Sequence, residues 1–161
     1  MAIYLLEIDG IKGESTDSKH PGTIEVESFS WGLSNTGSSS AGGGAGAGKA
    51  SFQDFSFVTP VSQASPELFL ACASGEHIKT ATLFVRKSGG KQQDYLTIKM
   101  SDVLVSSYKE AGDTTERRSV PMDSVAINFA KIEIEFKRQN PDGGAGAPFQ
   151  AGWDLRSNQK V

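Results

Sequence analysis

The sequence has little of the chemistry that most function classes require. Its 161 residues include one cysteine, Cys72, which excludes an internal disulfide and a cysteine-based metal cluster. Cys72 lies in an apolar segment, and we interpret it as a small buried hydrophobic residue. The two histidines, His20 and His77, have no second histidine or cysteine at a metal-ligand spacing. We interpret both as solitary surface imidazoles and predict no metal site.

A basic patch, a leader and a long apolar run are missing as well. The net charge is -3 at pH 7 and the pI is about 5.4, which disfavours a dedicated nucleic-acid binder. Residues Met1 to Asp9 have no basic region, and Glu7 interrupts their apolar run, so they do not resemble a secretory signal peptide. No apolar run approaches the roughly 18 residues of a membrane-spanning helix. These absences predict a protein made in the cytosol, with neither nucleic acid nor a membrane as its partner.

Complete catalytic motifs are also lacking. Gly43 to Lys49 matches the start of a phosphate-binding loop, but Ala50 stands where a hydroxyl must hold magnesium. A strand pattern follows this segment, whereas a phosphate site needs the N-terminus of a helix. A triad of Asp9, Asp17 and His20 with a serine has no more support than chance in a chain with many acids and serines. We predict no catalytic, cofactor-binding or metal-binding residues, no cofactor and no enzymatic activity.

What the sequence does contain is a long series of alternating apolar residues. Such alternation is typical of β-strands, and 37% hydrophobic residues with nine phenylalanines supply material for one core. The whole chain, 1–161, is therefore predicted to be a single, mainly all-β domain. The predicted strands are Ile3–Ile8, Thr23–Trp31, Ser51–Val58, Ala81–Arg86, Leu96–Val105 and Val125–Phe136, with a hairpin turn at Gly89-Gly90. Asn140–Pro148 is predicted to be loop, with a last short strand at Ala151–Leu155.

In three of these strands the alternation slips by one residue. Ile24 and Val26 share one face, whereas Phe29 and Trp31 fall on the other parity. Slips of the same kind occur in the 96–105 and 125–136 strands. A slip of this kind marks a β-bulge or an exchange of faces, and barrels use bulges to bend their strands. The pattern therefore predicts a closed or nearly closed β-barrel.

One short helix is signalled between the strands. Ser65 is predicted to be its N-cap, Pro66 its first residue and Gly75 its C-cap residue, with Glu67 near the positive end of the helix dipole. The apolar stretch Leu68–Ala73 is almost too apolar to be exposed. We therefore expect the helix to plug an opening of the barrel.

The sequence does not assign a role to two other segments, one rich in glycine and one rich in charge. The low-complexity segment from Gly37 to Gly48 consists of glycine, alanine and serine, and its composition predicts a flexible loop. The alternating charges from Lys131 to Lys137 form the polar face of a strand. That face is either solvated or buried between subunits.

Six sequence motifs, in order along the chain, resemble the haemolysin co-regulated protein family, Hcp. They are DGIKGESTDSK (9–19), EVESFSWG (25–32), GAGKASFQDFSF (46–57), SPELFLACASGEHI (65–78), RKSGG (86–90) and GWDLRSN (152–158). Each motif alone is weak, but their order is specific to the family. Phe29 stands where many members have tryptophan, so an aromatic residue is kept.

The resemblance implies a β-barrel of two sheets with one flanking α-helix, assembled into a six-membered ring. In that family rings stack into the inner tube of a type VI secretion machine, inside a contractile sheath and below a spike. Contraction propels the tube out of the cell, and small effectors ride in its lumen. The resemblance thus implies a protein that is made in the cytosol and secreted without a signal peptide.

Ser30 is the residue that this architecture singles out. Phe29 and Trp31 are expected to face the barrel core, so Ser30 points to the opposite side of the strand. If the strand lines the inner wall of the ring, six copies of Ser30 form a belt around the lumen and contact cargo. The alternatives are that Ser30 faces outer solvent or a neighbouring subunit.

Two other function classes stay open at this level. A ligand-binding barrel module would be a monomer with a hydrophobic pocket at its mouth, and an enzyme would have a cleft with shifted titrating groups. The mass in solution discriminates these classes from a ring.

Overall fold

The fold is built almost entirely from antiparallel strands. The computed structural model describes residues 1–37, 49–88, 93–115 and 120–161. Its strands are β1 (Ala2–Ile8), β2 (Ile24–Val26), β3 (Ser28–Ser30), β4 (Leu33–Asn35), β5 (Ala50–Phe52), β6 (Phe55–Pro60), β7 (His77–Lys87), β8 (Asp94–Ala111), β9 (Met122–Gln139), β10 (Ala145–Asp154) and β11 (Gln159–Lys160). One helix, α1 (Ser65–Ser74), lies in the described residues. The predicted Gly89-Gly90 turn and nearly all of the predicted glycine-rich loop lie outside them.

Pairing around the main sheet closes it into a barrel. Strand β1 pairs with β7 on one side and with β2 on the other, and β7, β8 and β9 follow as a meander. Strand β6 joins β9 to β3, which continues the line of β2 after a single residue. Strands β10 and β11 extend the sheet beyond β9, and β4 and β5 form a second, two-stranded sheet. The prediction of an all-β barrel with one short helix is confirmed.

The predicted slips in alternation occur at two levels of the barrel wall. At the first, Glu27 separates β2 from β3, and its N–H donates to the Val58 carbonyl at 2.8 Å. The inward position then passes from Val26 to Phe29, so apolar side chains keep facing the core. The slips in β8 and β9 share the second level, where buried residues change parity together in β7, β8 and β9. Asp102 has φ 52° at this level of β8.

Several predicted boundaries were wrong. The 51–58 strand is interrupted at Gln53 and Asp54, where the chain leaves β5 and enters β6. The last long strand begins at Ala145 rather than Ala151, although it contains Pro148. An outer strand tolerates proline because the missing N–H faces away from the ladder, and a bulge between Ala145 and Pro148 adjusts the register. Strands β4 and β11 were not predicted.

The helix differs from its prediction at one end. Pro66 and Glu67 lie in the first turn, and Gly75 ends the helix with φ 68° and an N–H bond to the Ala71 carbonyl. Its N-cap residue, however, is Ala64, not Ser65. The Ser65 hydroxyl does not cap the helix, because it donates a hydrogen bond to the carboxylate of Asp123, a residue far along the chain.

The helix packs against the barrel through only one side. Leu68 and Ala71 are 0% exposed and belong to the barrel core, and Cys72 is half-buried against that core. Phe69 and Leu70 on the outer side are 57% and 61% exposed, so the stretch that was expected to be almost too apolar for exposure is exposed in part.

The interior of the barrel is filled by side chains. Phe55 and Phe57 on β6 are at most 1% exposed, and Phe29 stacks on Phe55 with ring centroids 5.7 Å apart. Burial of each such aromatic side chain contributes about 1.5–3 kcal/mol to the free energy of unfolding. The surfaces that remain for function are therefore the outer faces and edges of the barrel.

Candidate functional site

Ser30 lies on an exposed outer face of the barrel. Its neighbour Phe29 points inward, as predicted, and also packs edge-on against Tyr4 at 5.1 Å. Ser30 therefore points outward, and its side chain is exposed. Trp31, also predicted to face the core, is half-buried against it. The structure thus agrees with the predicted direction of both aromatic residues.

Small side chains surround Ser30 on three adjacent strands. Its cross-strand partner is Ser56 on β6, whose partner on β9 is Ala126, and Ala126 lies opposite Ser107 on β8. The next row across the same strands is Ser28, Val58, Ser124 and Lys109. We call these two rows the serine face. They line a shallow depression of about 380 Å³.

Charge is sparse on the serine face and lies at its borders. Asp54 is held beside the first row by two hydrogen bonds, from the Ser106 hydroxyl at 2.6 Å and from the Asn128 amide at 2.9 Å. Lys109 ends the second row and is exposed. The face between them carries short hydroxyl and methyl groups, so it can contact a large partner closely without a specific binding pocket.

A chemically very different site surrounds a buried arginine. Arg86 on β7 is 1% exposed, and its guanidinium binds both carboxylate oxygens of Asp17 at 2.8 and 2.9 Å. Its Nε is 3.3 Å from Asp94 Oδ1, and the other oxygen of Asp94 is 2.7 Å from His20 Nε2. The His20 ring stacks on Phe84 with centroids 3.8 Å apart. We call these residues the arginine clamp.

The arginine clamp corrects the interpretation of His20. This histidine is not a solitary surface imidazole, since its side chain is 16% exposed and has both a carboxylate and an aromatic partner. His77, in contrast, is exposed at the start of β7. Burial raises the pKa of Asp17, but bonds from the His20 N–H and from Arg86 outweigh it and hold that pKa below its usual value.

Nothing local in the sequence marks Arg86 as buried. Two adjacent charged residues at the end of a strand, just before a turn signal, are usually exposed, and the acids that neutralise Arg86 are distant in sequence. Only the RKSGG motif hinted at a special position. The clamp fastens the 12–22 loop onto the outer face of β7, which is a structural role.

A second buried carboxylate anchors the helix. Asp123 is 0% exposed and accepts hydrogen bonds from the hydroxyls of Ser65 and Tyr108. Burial and the neighbouring carboxylates of Asp123 and Glu110 raise the pKa of Tyr108, so the phenol stays protonated as a donor. This cluster ties α1 to β8 and β9 and offers no accessible nucleophile.

The motif that resembles a phosphate-binding loop is followed by the strand that its pattern indicated. Ala50, just after Lys49, begins β5, so a strand and not a helix follows the motif, whose residues 43–48 lie outside the described part of the chain. Among the described residues no group of three or more histidine, cysteine or acidic side chains could hold a metal ion. No helix in the described parts of the chain is long and apolar enough to cross a membrane.

The charged segment 131–137 has a geometry that fits both of its interpretations, a solvated face and a face buried between subunits. Lys131 lies 3.5 Å from Glu133, and Lys137 lies 3.6 Å from Glu135, with all four side chains partly exposed. Ion pairs this exposed contribute little to stability, so they fit a solvated face and an interface equally well.

Comparisons with known proteins agree with this architecture. A family model described as "Type VI secretion system effector, Hcp" matches residues 5–136. "Protein hcp1" of Pseudomonas aeruginosa is 41% identical over 155 residues, covering 95% of this chain and 94% of that protein. The crystal structure of Hcp1 from Salmonella typhimurium has a TM-score of 0.82 and 31% identity, with 99% of each chain covered. Another type six secretion system protein reaches a TM-score of 0.93 at 29% identity over 100% of both chains.

Barrel, flanking helix and relatives together define a class: the secreted, tube-like structural proteins of type VI secretion. Family membership follows from the match over most of the chain and from the identity to a relative of nearly the same length. The chain belongs to the Hcp family.

Proposed function

We propose that this chain is the subunit of a homohexameric ring, and that such rings stack into the inner tube of a type VI secretion machine. A contractile sheath surrounds the tube and a spike protein caps it. Contraction carries the protein from the cytosol to the outside of the cell. The chain acts as a structural element and as a carrier of effectors, and it catalyses no reaction.

The proposal that Ser30 lines the lumen of the ring rests on the serine face. A channel wall that accepts different cargo needs a broad exposed surface without bulky or strongly charged side chains. The rows from Ser30 to Ser107 and from Ser28 to Lys109 have that character on a wall whose inner side is the barrel core. We place Ser30 on the inner wall of the ring, where six copies contact small effector proteins.

Ring formation is tested by mass in solution. Light scattering coupled to size exclusion is expected to give six times 17.1 kDa for the purified protein. A monomer at tens of micromolar would contradict the ring and favour a binding module instead.

The lumen assignment is tested by replacing Ser30 with glutamine. Hexamers and the melting temperature are expected to be unchanged, because Ser30 is exposed, while the amount of effector that co-purifies with the rings changes. Ser157→Gln, an exposed serine in a turn far along the chain, is the matched control and should leave cargo unchanged. Unchanged cargo in the Ser30 variant removes this residue from the lumen, and loss of the hexamer assigns it to a subunit contact.

A further inference from the structure

Two pairs of large apolar side chains, each pair side by side, are exposed on the outer surface of the described parts of the chain. The first, the helix patch, consists of Phe69 and Leu70 on the outer side of α1. Phe69 packs against Tyr108 with centroids 6.3 Å apart, which fixes its ring in place. Exposed aromatic and leucine side chains that lie side by side on a rigid support are typical of interaction surfaces.

Acidic side chains border the helix patch. Glu67 lies in the first turn of α1 and Glu76 just after its last turn, and both are exposed. The last turn contains no basic residue. Neither glutamate forms an ion pair with any residue in the described ranges, so both charges are available to a partner.

The second patch, the sheet patch, lies where β9 and β10 extend beyond the barrel. Phe136 and Phe149 are cross-strand partners and are 43% and 59% exposed. Exposed Arg138 shares their face of β9, and it lines with Lys87 and Phe136 a cleft of about 320 Å³. Asp94 also lines this cleft, but its carboxylate is already held by the arginine clamp. The sheet patch is therefore apolar with a basic border.

The two patches are complementary but cannot meet within one molecule. The helix patch is tied to β9 through Asp123, near the start of that strand, and Phe136 lies near its end. About 40 Å of strand separates them at roughly 3.3 Å per residue. A contact between two different patches is heterologous, and such a contact closes into a ring when its rotation divides the circle.

We infer that the helix patch of one subunit docks on the sheet patch of the next subunit in the same ring. Phe69 and Leu70 pack against Phe136 and Phe149, and Glu67 and Glu76 face Lys87 and Arg138. This inference rests on the proposed ring and names the surfaces that form it. Apolar anchors surrounded by complementary charge provide affinity at the centre and correct orientation at the border.

The sharpest test is a pair of charge reversals. Variant one carries Glu67→Lys and Glu76→Lys, and variant two carries Lys87→Glu and Arg138→Glu. Each variant alone places like charges across every contact, so its ring dissociation concentration is expected to rise at least about tenfold. Mixing the two variants restores opposite charges at every contact, and native mass spectrometry should then detect hexamers with three copies of each.

Controls separate this outcome from misfolding and from failure of the ring itself. All four positions are exposed, so the far-ultraviolet circular dichroism spectrum and melting temperature of each variant should match the wild type. The double reversal Lys12→Glu and Lys160→Glu, at exposed positions outside both patches, should keep hexamers. Phe149→Ser should weaken the ring without any change of charge.

Four results would overturn the inference. If the wild type forms hexamers and both charge variants remain hexameric, the patches are not the contact. If the variants dissociate but their mixture does not reassemble, the two patches do not face each other. If hexamers persist and only tubes are lost, the patches join stacked rings instead. A monomeric wild type would refute the proposed ring, and this contact with it.

Discussion

Two outer walls of the same barrel differ in whether another segment of the chain covers them. On β7 the wall is covered, because the arginine clamp holds the 12–22 loop over Phe84 and leaves Arg86 1% exposed. On β3, β6 and β9 the wall is bare and carries mostly serine and alanine. The covered wall uses buried charge to fix its structure, and the bare wall leaves short side chains exposed, as the proposed lumen contact requires. Under that proposal, stability and binding depend on different parts of the outer surface of the barrel.

The largest expected effect is on the covered wall. Arg86→Ala leaves Asp17 and Asp94 without their cation, and loss of one partner of a buried pair costs about 3–5 kcal/mol of unfolding free energy. Arg156→Ala is the matched control, because Arg156 also binds a carboxylate, that of Asp102, but is 66% exposed. Its removal should cost about 0–1 kcal/mol. Urea unfolding of both variants measures the two losses of unfolding free energy. A loss at Arg86 no larger than the loss at Arg156 would contradict the stabilising role of the arginine clamp.

A smaller effect concerns the pH dependence of the clamp. Asp17 has a lower pKa in the folded chain than its ordinary value of 3.8. Its charge therefore stabilises the fold above that value, and the contribution is lost as the pH falls through the lowered pKa of the folded state. The free-energy gap between wild type and Asp17→Asn should stay constant from about pH 7 to pH 5 and narrow as the pH falls below 3.8. A gap that stays constant below pH 3.8 would contradict the assignment.

The smallest effect is expected on the bare wall. Ser56→Ala should change the unfolding free energy by no more than about 0.5 kcal/mol, as is usual for surface positions. Ser65→Ala is the contrasting serine, because it removes a hydroxyl donor from the buried Asp123 and should cost about 1–3 kcal/mol. Thermal and urea unfolding of the two variants compare them directly. A large loss at Ser56 would mean that the serine face is part of the stabilising structure.

Local signals in the sequence predicted much of the fold. Alternation revealed the bend between Val26 and Phe29, since side-chain direction in a strand follows directly from parity. Pro66, Glu67 and Gly75 bounded the helix because turn and cap preferences act over a few residues. The helix N-cap was wrong by one position because Asp123, far along the chain, takes the Ser65 hydroxyl.

The candidate sites were predicted less evenly. The direction of Ser30 follows from the aromatic residue beside it, so the amino-acid sequence alone is enough to predict it. Its neighbours Ser56 and Ser124 could not be deduced in this way, because strand register across the barrel depends on long-range pairing. Arg86 has the local pattern of a surface residue. Its burial could not be predicted, because its partner Asp17 is distant in the sequence.

The pairing of β9 has a consequence for the order in which the chain folds. Strands β7 to β10 form a meander of neighbours, so their pairing needs only short loops to close. Pairing of β6 with β9 and of β1 with β7 joins segments far apart in the sequence, which loses more chain entropy. We expect the meander to form first and the amino-terminal strands to complete the barrel last. Such non-local closure gives folding times in the range of about milliseconds to seconds. Until β1 and β6 have paired, one edge of β7 and part of one edge of β9 therefore lack their strand partners.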